Sequence, residues 1–72
     1  MDKKKIILTE GDLNTEYTIT HNPHQKYIAL GLFSGNTIKI ITKSKYNRNL
    51  VVAVGDSRYI ISKNITDGIM VC

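Results

Sequence analysis

The sequence has few of the residues that build cross-linked or metal-bound frameworks. Its single cysteine, Cys72, excludes a disulfide within the chain and a zinc site made from several cysteines. The apolar residues 6–8, which follow a lysine-rich start, are far fewer than the roughly 20 that a membrane-spanning helix needs. These absences predict a cytoplasmic protein that does not insert into a membrane.

Room for a second domain is also absent, because the chain has 72 residues. A domain of this size buries only about 60% of the surface that its unfolded chain exposes. Most of the hydrophobic residues, which make up 42% of the chain, must therefore form the core, and few remain to line a deep pocket. We expect a flexible tail over residues 1–5 and one domain over residues 6–72.

Groups for catalysis are scarce as well. A nucleophilic cysteine needs a base within reach, and the one thiol of this chain belongs to its last residue. Gly31 and Gly35 are not followed by the Gly-Lys-Ser/Thr of a phosphate-binding loop, and no pair of carboxylates suggests acid–base chemistry. We therefore predict that the protein is not an enzyme.

Two histidines suggest a metal ion, but weakly. His21 and His24 lie three residues apart, with Asp12 or Glu16 as further ligands, and Pro23 between them is expected to direct their rings apart. Transition-metal sites need three or four converging ligands. Ordinary surface histidines are therefore the better interpretation, and no cofactor is expected.

The pattern of hydrophobic residues predicts short strands. Residues 17–20 and 69–71 are strand-like, the apolar run 50–54 is typical of a central strand, and Gly55-Asp56 predicts a type II′ hairpin to residues 58–61. Alternation along residues 37–43 predicts a half-buried strand. Its two faces would carry Ile38, Ile40 and Thr42 on one side, and Lys39, Ile41 and Lys43 on the other.

Two short helices accompany these strands. The first is predicted at about residues 23–31, because Asn22 suits the N-cap, Pro23 suits the first helical position and Gly31 suits the stop. A one-turn helix is predicted near residues 62–67. Five to six short antiparallel strands with such helices indicate a mainly β protein, namely a small, partly open barrel.

Two segments resemble the FeoA family. The segment LGLFSGNTIKI, residues 30–40, is similar to the family pattern LGL-x-x-G-x-x-I-x-I. The segment VAVGDSRYIIS, residues 52–62, resembles the family's closing hairpin, and the resemblance extends over roughly residues 8–71. The chain departs from the family at HQKYIA, residues 24–29, where arginines are usual, and at LNTE, residues 13–16, which replaces Leu-x-Pro-Gly.

The resemblance implies an SH3-like barrel, related to the C-terminal domain of DtxR-type repressors, with a small helix inserted after the first long strand. It also implies a cytoplasmic accessory protein of bacterial ferrous iron uptake that contacts, and thereby regulates, the permease and GTPase FeoB. The expected partner is the cytosolic domain of FeoB, and the chain itself is expected to be a monomer or a weak homodimer. Transition metal ion binding is implied at the level of the family, as at most a weak association with ferrous iron.

Two surfaces are candidates for partner binding. The turn between the glycines carries Leu32 and Phe33, and the preceding helix adds Lys26 and Tyr27, which together suit a modest protein–protein interface. We expect Leu32 to plug the end of the barrel and leave the exposure of Phe33 open.

The alternative is a basic edge that binds single-stranded nucleic acid, or a regulatory domain in another setting. The chain has 10 basic and 6 acidic residues, and no acid interrupts the residues of this edge, Lys39, Lys43, Lys45, Tyr46 and Arg48. Small barrels bind single strands through basic grooves with stacking aromatic residues. The chain has few aromatic residues for this purpose, so a solvated charged edge is the better interpretation and nucleic acid is not the expected partner.

Overall fold

The described residues, 4–44 and 48–72 of a computed structural model, form six strands and three short helical segments. The strands are β1 (Ile6–Ile7), β2 (Glu16–His21), β3 (Thr37–Lys43), β4 (Asn49–Val54), β5 (Ser57–Ser62) and β6 (Met70–Val71). A 3₁₀ turn (Leu8–Glu10) follows β1, helix α1 (Gln25–Ile28) joins β2 to β3, and helix α2 (Lys63–Thr66) follows β5. Of the predicted basic edge, Lys45 and Tyr46 lie outside the described residues, as do the first three residues of the predicted tail.

The strands form one antiparallel sheet in the order β1-β6-β2-β3-β4-β5. Strands β1 and β5 are its two edges, so the sheet is not closed into a barrel. Closure would require these two edges to pair, and β1 offers only two residues for pairing. The predicted mainly β class and number of strands are therefore confirmed, whereas the predicted barrel is corrected to an open sheet.

The core lies on one face of this sheet, which we call the inner face. Its fully or almost fully buried side chains are Leu8, Ile19, Leu32, Ile38, Ile40, Leu50, Val52, Val54, Ile61, Ile69 and Val71. Tyr17, Tyr27, Tyr59 and Ile65 pack against this cluster from its margins. The opposite, outer face of β3, β4 and β5 carries the half-buried and exposed residues that alternate with the core residues.

The closing hairpin confirms the predicted turn type. Val54 lies opposite Ser57, so the loop has two residues. Gly55 has a φ of +60°, and Asp56 is not among the residues with positive φ. A positive φ at the first loop position alone defines type II′, the turn that Gly in first place favours.

A β-bulge directly after Ile40 changes the faces of β3. Residues that lie opposite each other in an antiparallel sheet project to the same face. Lys39 lies opposite Ala53 on the outer face. Lys43 lies opposite Leu50, which is buried on the inner face. The predicted alternation along this strand is therefore wrong at Thr42 and Lys43, because the extra residue of the bulge moves each of them to the other face.

Helix α1 is shorter than predicted. It begins at Gln25, with His24 as N-cap and no side-chain capping bond. Asn22 is not the N-cap, because its side chain has other partners: Oδ1 accepts from the His24 amide at 2.9 Å, and Nδ2 donates to the Leu32 carbonyl at 2.8 Å. Pro23 consequently precedes the helix instead of starting it.

Among the described residues, the longest helical segments have four residues. No helix there is long and apolar enough to cross a membrane.

Candidate interaction surface

The turn that follows α1 has a backbone fixed by hydrogen bonds. The Gly31 amide donates to the Ile28 carbonyl at 3.0 Å, and the Leu32 amide donates to the Tyr27 carbonyl at 3.1 Å. These two bonds define a Schellman motif, with Gly31 at the C′ position and a φ of +113°. The predicted helix stop at Gly31 is thereby confirmed.

Two asparagines hold this turn against the sheet. Asn22, which is almost completely buried, joins the end of β2 to the Leu32 carbonyl as described above. Asn36 donates from Nδ2 to the Gly31 carbonyl at 2.6 Å, across the turn. The Asn36 carbonyl also accepts from the Ile19 amide at 2.9 Å. The turn is therefore tied both to itself and to β2.

A second glycine completes the turn. Gly35 has a φ of +96°, and its amide donates to the Ile19 carbonyl at 2.7 Å. Ser34 Oγ donates to the Thr20 carbonyl at 3.1 Å. Because these bonds fix the backbone on both sides of the turn, the side chains between the glycines are held in fixed directions.

Two neighbouring side chains of the turn have opposite environments. Leu32 has no exposed surface and belongs to the core, so its expected burial is confirmed, although the open sheet has no barrel end for it to plug. Phe33 is 47% exposed, and Leu30, three residues earlier, is 42% exposed. The side chain of Leu32 is therefore not available to a partner, whereas those of Phe33 and Leu30 are.

Helix α1 adds a charged and an aromatic residue to this region. Lys26 is exposed, and its Nζ lies 5.9 Å from the centroid of the half-buried Tyr27 ring, within the range of a cation–π contact. Tyr59 of β5 donates from its hydroxyl to the Leu30 carbonyl at 3.1 Å. We call Lys26, Tyr27, Leu30 and Phe33 the turn surface. Leu30 is the member that the sequence did not single out, because its place in the LGL pattern is also that of a core residue.

The predicted basic edge is not gathered on one face. Lys39 lies on the outer face, where Glu16 of β2 stands directly opposite it. Lys43 is on the other side of the bulge, opposite Leu50. Arg48, the residue that precedes β4, is exposed and has a positive φ of 56°. Lys39 and Lys43 therefore do not line one continuous groove.

The metal candidates do not converge with further ligands. Within residues 4–44 and 48–72, no group of three or more His, Cys, Asp or Glu residues is placed to hold a metal ion. His21 lies at the end of β2, opposite Met70, and His24 precedes α1. The backbone of Cys72 exchanges two hydrogen bonds with Thr18, so the end of the described chain extends the pairing of β6 with β2.

Comparison with known proteins gives a family and a fold. The family model of the FeoA domain matches residues 8–72. No curated protein matches the sequence. A crystal structure of an iron uptake regulatory protein (FeoA) superposes with a TM-score of 0.83, with 22% sequence identity over 96% of both chains. An identity this low shows a shared fold alone.

The family match covers the turn surface and every strand except β1. It includes the LGL pattern with Gly31 and Gly35 and the hairpin with Gly55, the three glycines that have a positive φ among the described residues. The chain belongs to the FeoA family, which is involved in ferrous iron transport.

Proposed function

We propose that the protein is a cytoplasmic accessory of ferrous iron uptake, which acts by contact between its turn surface and the cytosolic domain of FeoB. One observation supports this proposal most strongly. Phe33 exposes nearly half of its surface on a turn whose backbone is held by Asn22, Asn36 and two glycines of positive φ. A large aromatic side chain held rigidly in solvent is typical of an anchor residue at an interface.

The rigidity of the turn favours binding. A partner that binds a mobile loop must offset the loss of conformational entropy of that loop. In this turn the hydrogen bonds already order the backbone, so little further entropy is lost on binding. Leu30 and Phe33 would supply apolar contact, and Lys26 at the margin would supply the polar rim that such interfaces have.

A role without catalysis agrees with the functional groups that the chain carries. The FeoA family is an accessory family and not a known family of enzymes. Contact with a partner requires no nucleophile, base or cofactor, so it needs nothing beyond the groups that the turn surface offers. The nucleic-acid alternative finds no comparable support, because the bulge in β3 separates Lys39 from Lys43.

The test is the binding of Phe33→Ala to the cytosolic domain of FeoB by isothermal titration calorimetry. We expect the dissociation constant to rise roughly 5- to 150-fold, which corresponds to the loss of about 1–3 kcal/mol at an anchor residue. The melting temperature should change little, because Phe33 is not part of the buried core.

The matched control is Leu13→Ala. Leu13 is 50% exposed, similar to Phe33, but it lies before β2 and outside the turn surface. This variant should bind as the wild type does. Equal affinities of the wild type, Phe33→Ala and Leu13→Ala would contradict the proposal.

A further inference from the structure

Strand β5 exposes unpaired backbone groups at one edge of the sheet. Within the described residues, β4 is its only strand neighbour. The hairpin closes at Ser57, and the pair that closes a two-residue hairpin exchanges both of its hydrogen bonds. Ser57, Tyr59 and Ile61 therefore bond to β4, and the amides and carbonyls of Arg58 and Ile60 point to the free edge.

The two edges of the sheet differ in their protection. Proteins prevent unwanted pairing at an edge by making it short or by placing lysines there. Strand β1 has two residues and follows the exposed Lys4 and Lys5. Strand β5 has six residues, and Ile60 near its middle is 70% exposed, the largest exposure among the large hydrophobic residues of the described chain. Its length and its apolar centre make β5 suitable for the addition of a strand.

The register of the sheet indicates which charge an added strand should carry. One row across the outer face runs from Glu16 through Lys39 and Ala53 to Arg58. Glu16 and Lys39 stand opposite each other as acid and base. Arg58 ends the row at the free edge and forms no ion pair with the described residues. An acidic side chain on an added strand would stand opposite Arg58 as Glu16 stands opposite Lys39.

A cleft next to this row also favours an acidic residue on an added strand. A cleft of about 270 Å³ on the outer face is lined by both Lys39 and Arg58, with the small Ala53 between them. Glu16 is the one acidic residue among its described lining residues. The excess of positive charge beside the edge therefore favours an anionic partner.

The neighbouring row indicates an aliphatic residue. Val51 lies opposite Ile60, and Ile41 of the bulge adds a further half-buried aliphatic side chain on the outer face. Cross-strand pairs of β-branched residues stabilise a sheet. A second copy of this chain fits less well: pairing of two β5 strands about Ile60 would place Arg58 opposite Ser62 and provide no acid.

We propose that β5 binds an extended, acidic segment of a partner protein as a seventh, antiparallel strand, with an aliphatic side chain beside Ile60 and a carboxylate beside Arg58. The backbone at the edge gives the affinity, and these two side chains give the specificity. This site is separate from the turn surface and does not depend on the contact with FeoB.

The experiment is an NMR titration of the ¹⁵N-labelled protein with a capped peptide of sequence TETVTET. Its valine can stand opposite Ile60 in the antiparallel arrangement that the rest of the sheet has, and a glutamate then stands opposite Arg58. We expect saturable changes in the amide signals of Arg58 and Ile60 and slower hydrogen exchange of both amides. A peptide with an N-methylated valine should not bind, because its central amide cannot donate a hydrogen bond.

Charge reversal supplies the matched comparison. The variant Arg58→Glu should weaken binding of TETVTET by roughly two- to fivefold and strengthen binding of TKTVTKT by a similar factor, as expected for one cross-strand charge pair. Phe33→Ala should bind TETVTET as the wild type does, which distinguishes this site from the turn surface. Equal binding of the N-methylated peptide, or no preference between the two charges, would overturn the proposal. Changes at Arg58 and Ile60 on dilution without peptide would overturn it too, since a second copy would then cover the edge.

Discussion

The turn surface and the β5 edge both expose a large apolar side chain, but they differ in their backbones. Around Phe33, most of the backbone amides and carbonyls are bonded within the turn, to Asn22 or to β2. Beside Ile60, the register leaves backbone groups directed at solvent. A partner can therefore bind the turn mainly through side chains, whereas at the edge it can also pair with the backbone of the strand. Exposure of an apolar side chain thus does not determine the mode of recognition.

The first prediction separates the exposed Phe33 of the turn from the buried Leu32 by their contributions to stability. Leu32→Ala removes a completely buried side chain, so we expect the free energy of unfolding to fall by about 2–5 kcal/mol. Phe33→Ala, one residue away, should cost much less because its side chain is half exposed. Urea unfolding of both variants measures the difference, and equal losses would mean that Phe33 belongs to the core.

The second prediction concerns the hydrogen bonds of the turn. Asn22→Ala leaves the Leu32 carbonyl and the His24 amide without their side-chain partner, and we expect a loss of about 1–3 kcal/mol in stability. Asn64→Ala is the control, because Asn64 is exposed on α2 and should tolerate the change. Thermal melting of the two variants decides the matter. A stable Asn22→Ala protein would show that the turn does not depend on this side chain.

The third prediction tests the glycines of the two regions. A Cβ at Gly35 or Gly55 would meet no atom within 4 Å, so Gly35→Ala and Gly55→Ala introduce backbone strain without a clash. Each should cost about 1–2 kcal/mol in stability. Only Gly35→Ala should also weaken binding to the cytosolic domain of FeoB, since Gly35 shapes the turn. If Gly35→Ala and Gly55→Ala differed in stability but bound the cytosolic domain of FeoB equally well, Gly35 would not shape a binding turn.

The smallest effect is expected for nucleic acid. Because the bulge places Lys39 and Lys43 on opposite faces, single-stranded RNA should bind weakly, and the affinity should collapse between 50 and about 150 mM salt. Fluorescence anisotropy with the wild type and Lys43→Ala measures this. Tight binding that survives the higher salt and depends on Lys43 would restore the basic edge as a functional surface.

Local patterns in the sequence predicted local structure well. The alternation of residues 37–43 gave β3 its bounds, and Gly55-Asp56 specified the hairpin, because both depend on neighbouring residues. The start of α1 was wrong because Asn22 bonds to Leu32, ten residues away, instead of capping the helix. The bulge after Ile40 and the open edges of the sheet likewise depend on pairing between distant strands, which no local pattern reveals.

The same limit applies to the two surfaces. The LGL pattern identified the turn and its glycines, but it could not distinguish the buried Leu32 from the exposed Leu30. From the sequence, Ile60 is an apolar residue of a strand and would be expected next to the core. Its exposure follows from β5 being an edge, and that depends on the order of the strands.

The most direct test of the central claim is a footprint of the partner on the protein. The ¹⁵N-labelled chain is titrated with the unlabelled cytosolic domain of FeoB, and the amide signals are followed by NMR. If the turn surface binds this domain, the largest changes in amide signals fall on Lys26, Tyr27, Leu30 and Phe33. The variant Phe33→Ala should abolish these changes. Changes confined to residues outside this surface, or their persistence in Phe33→Ala, would contradict the account.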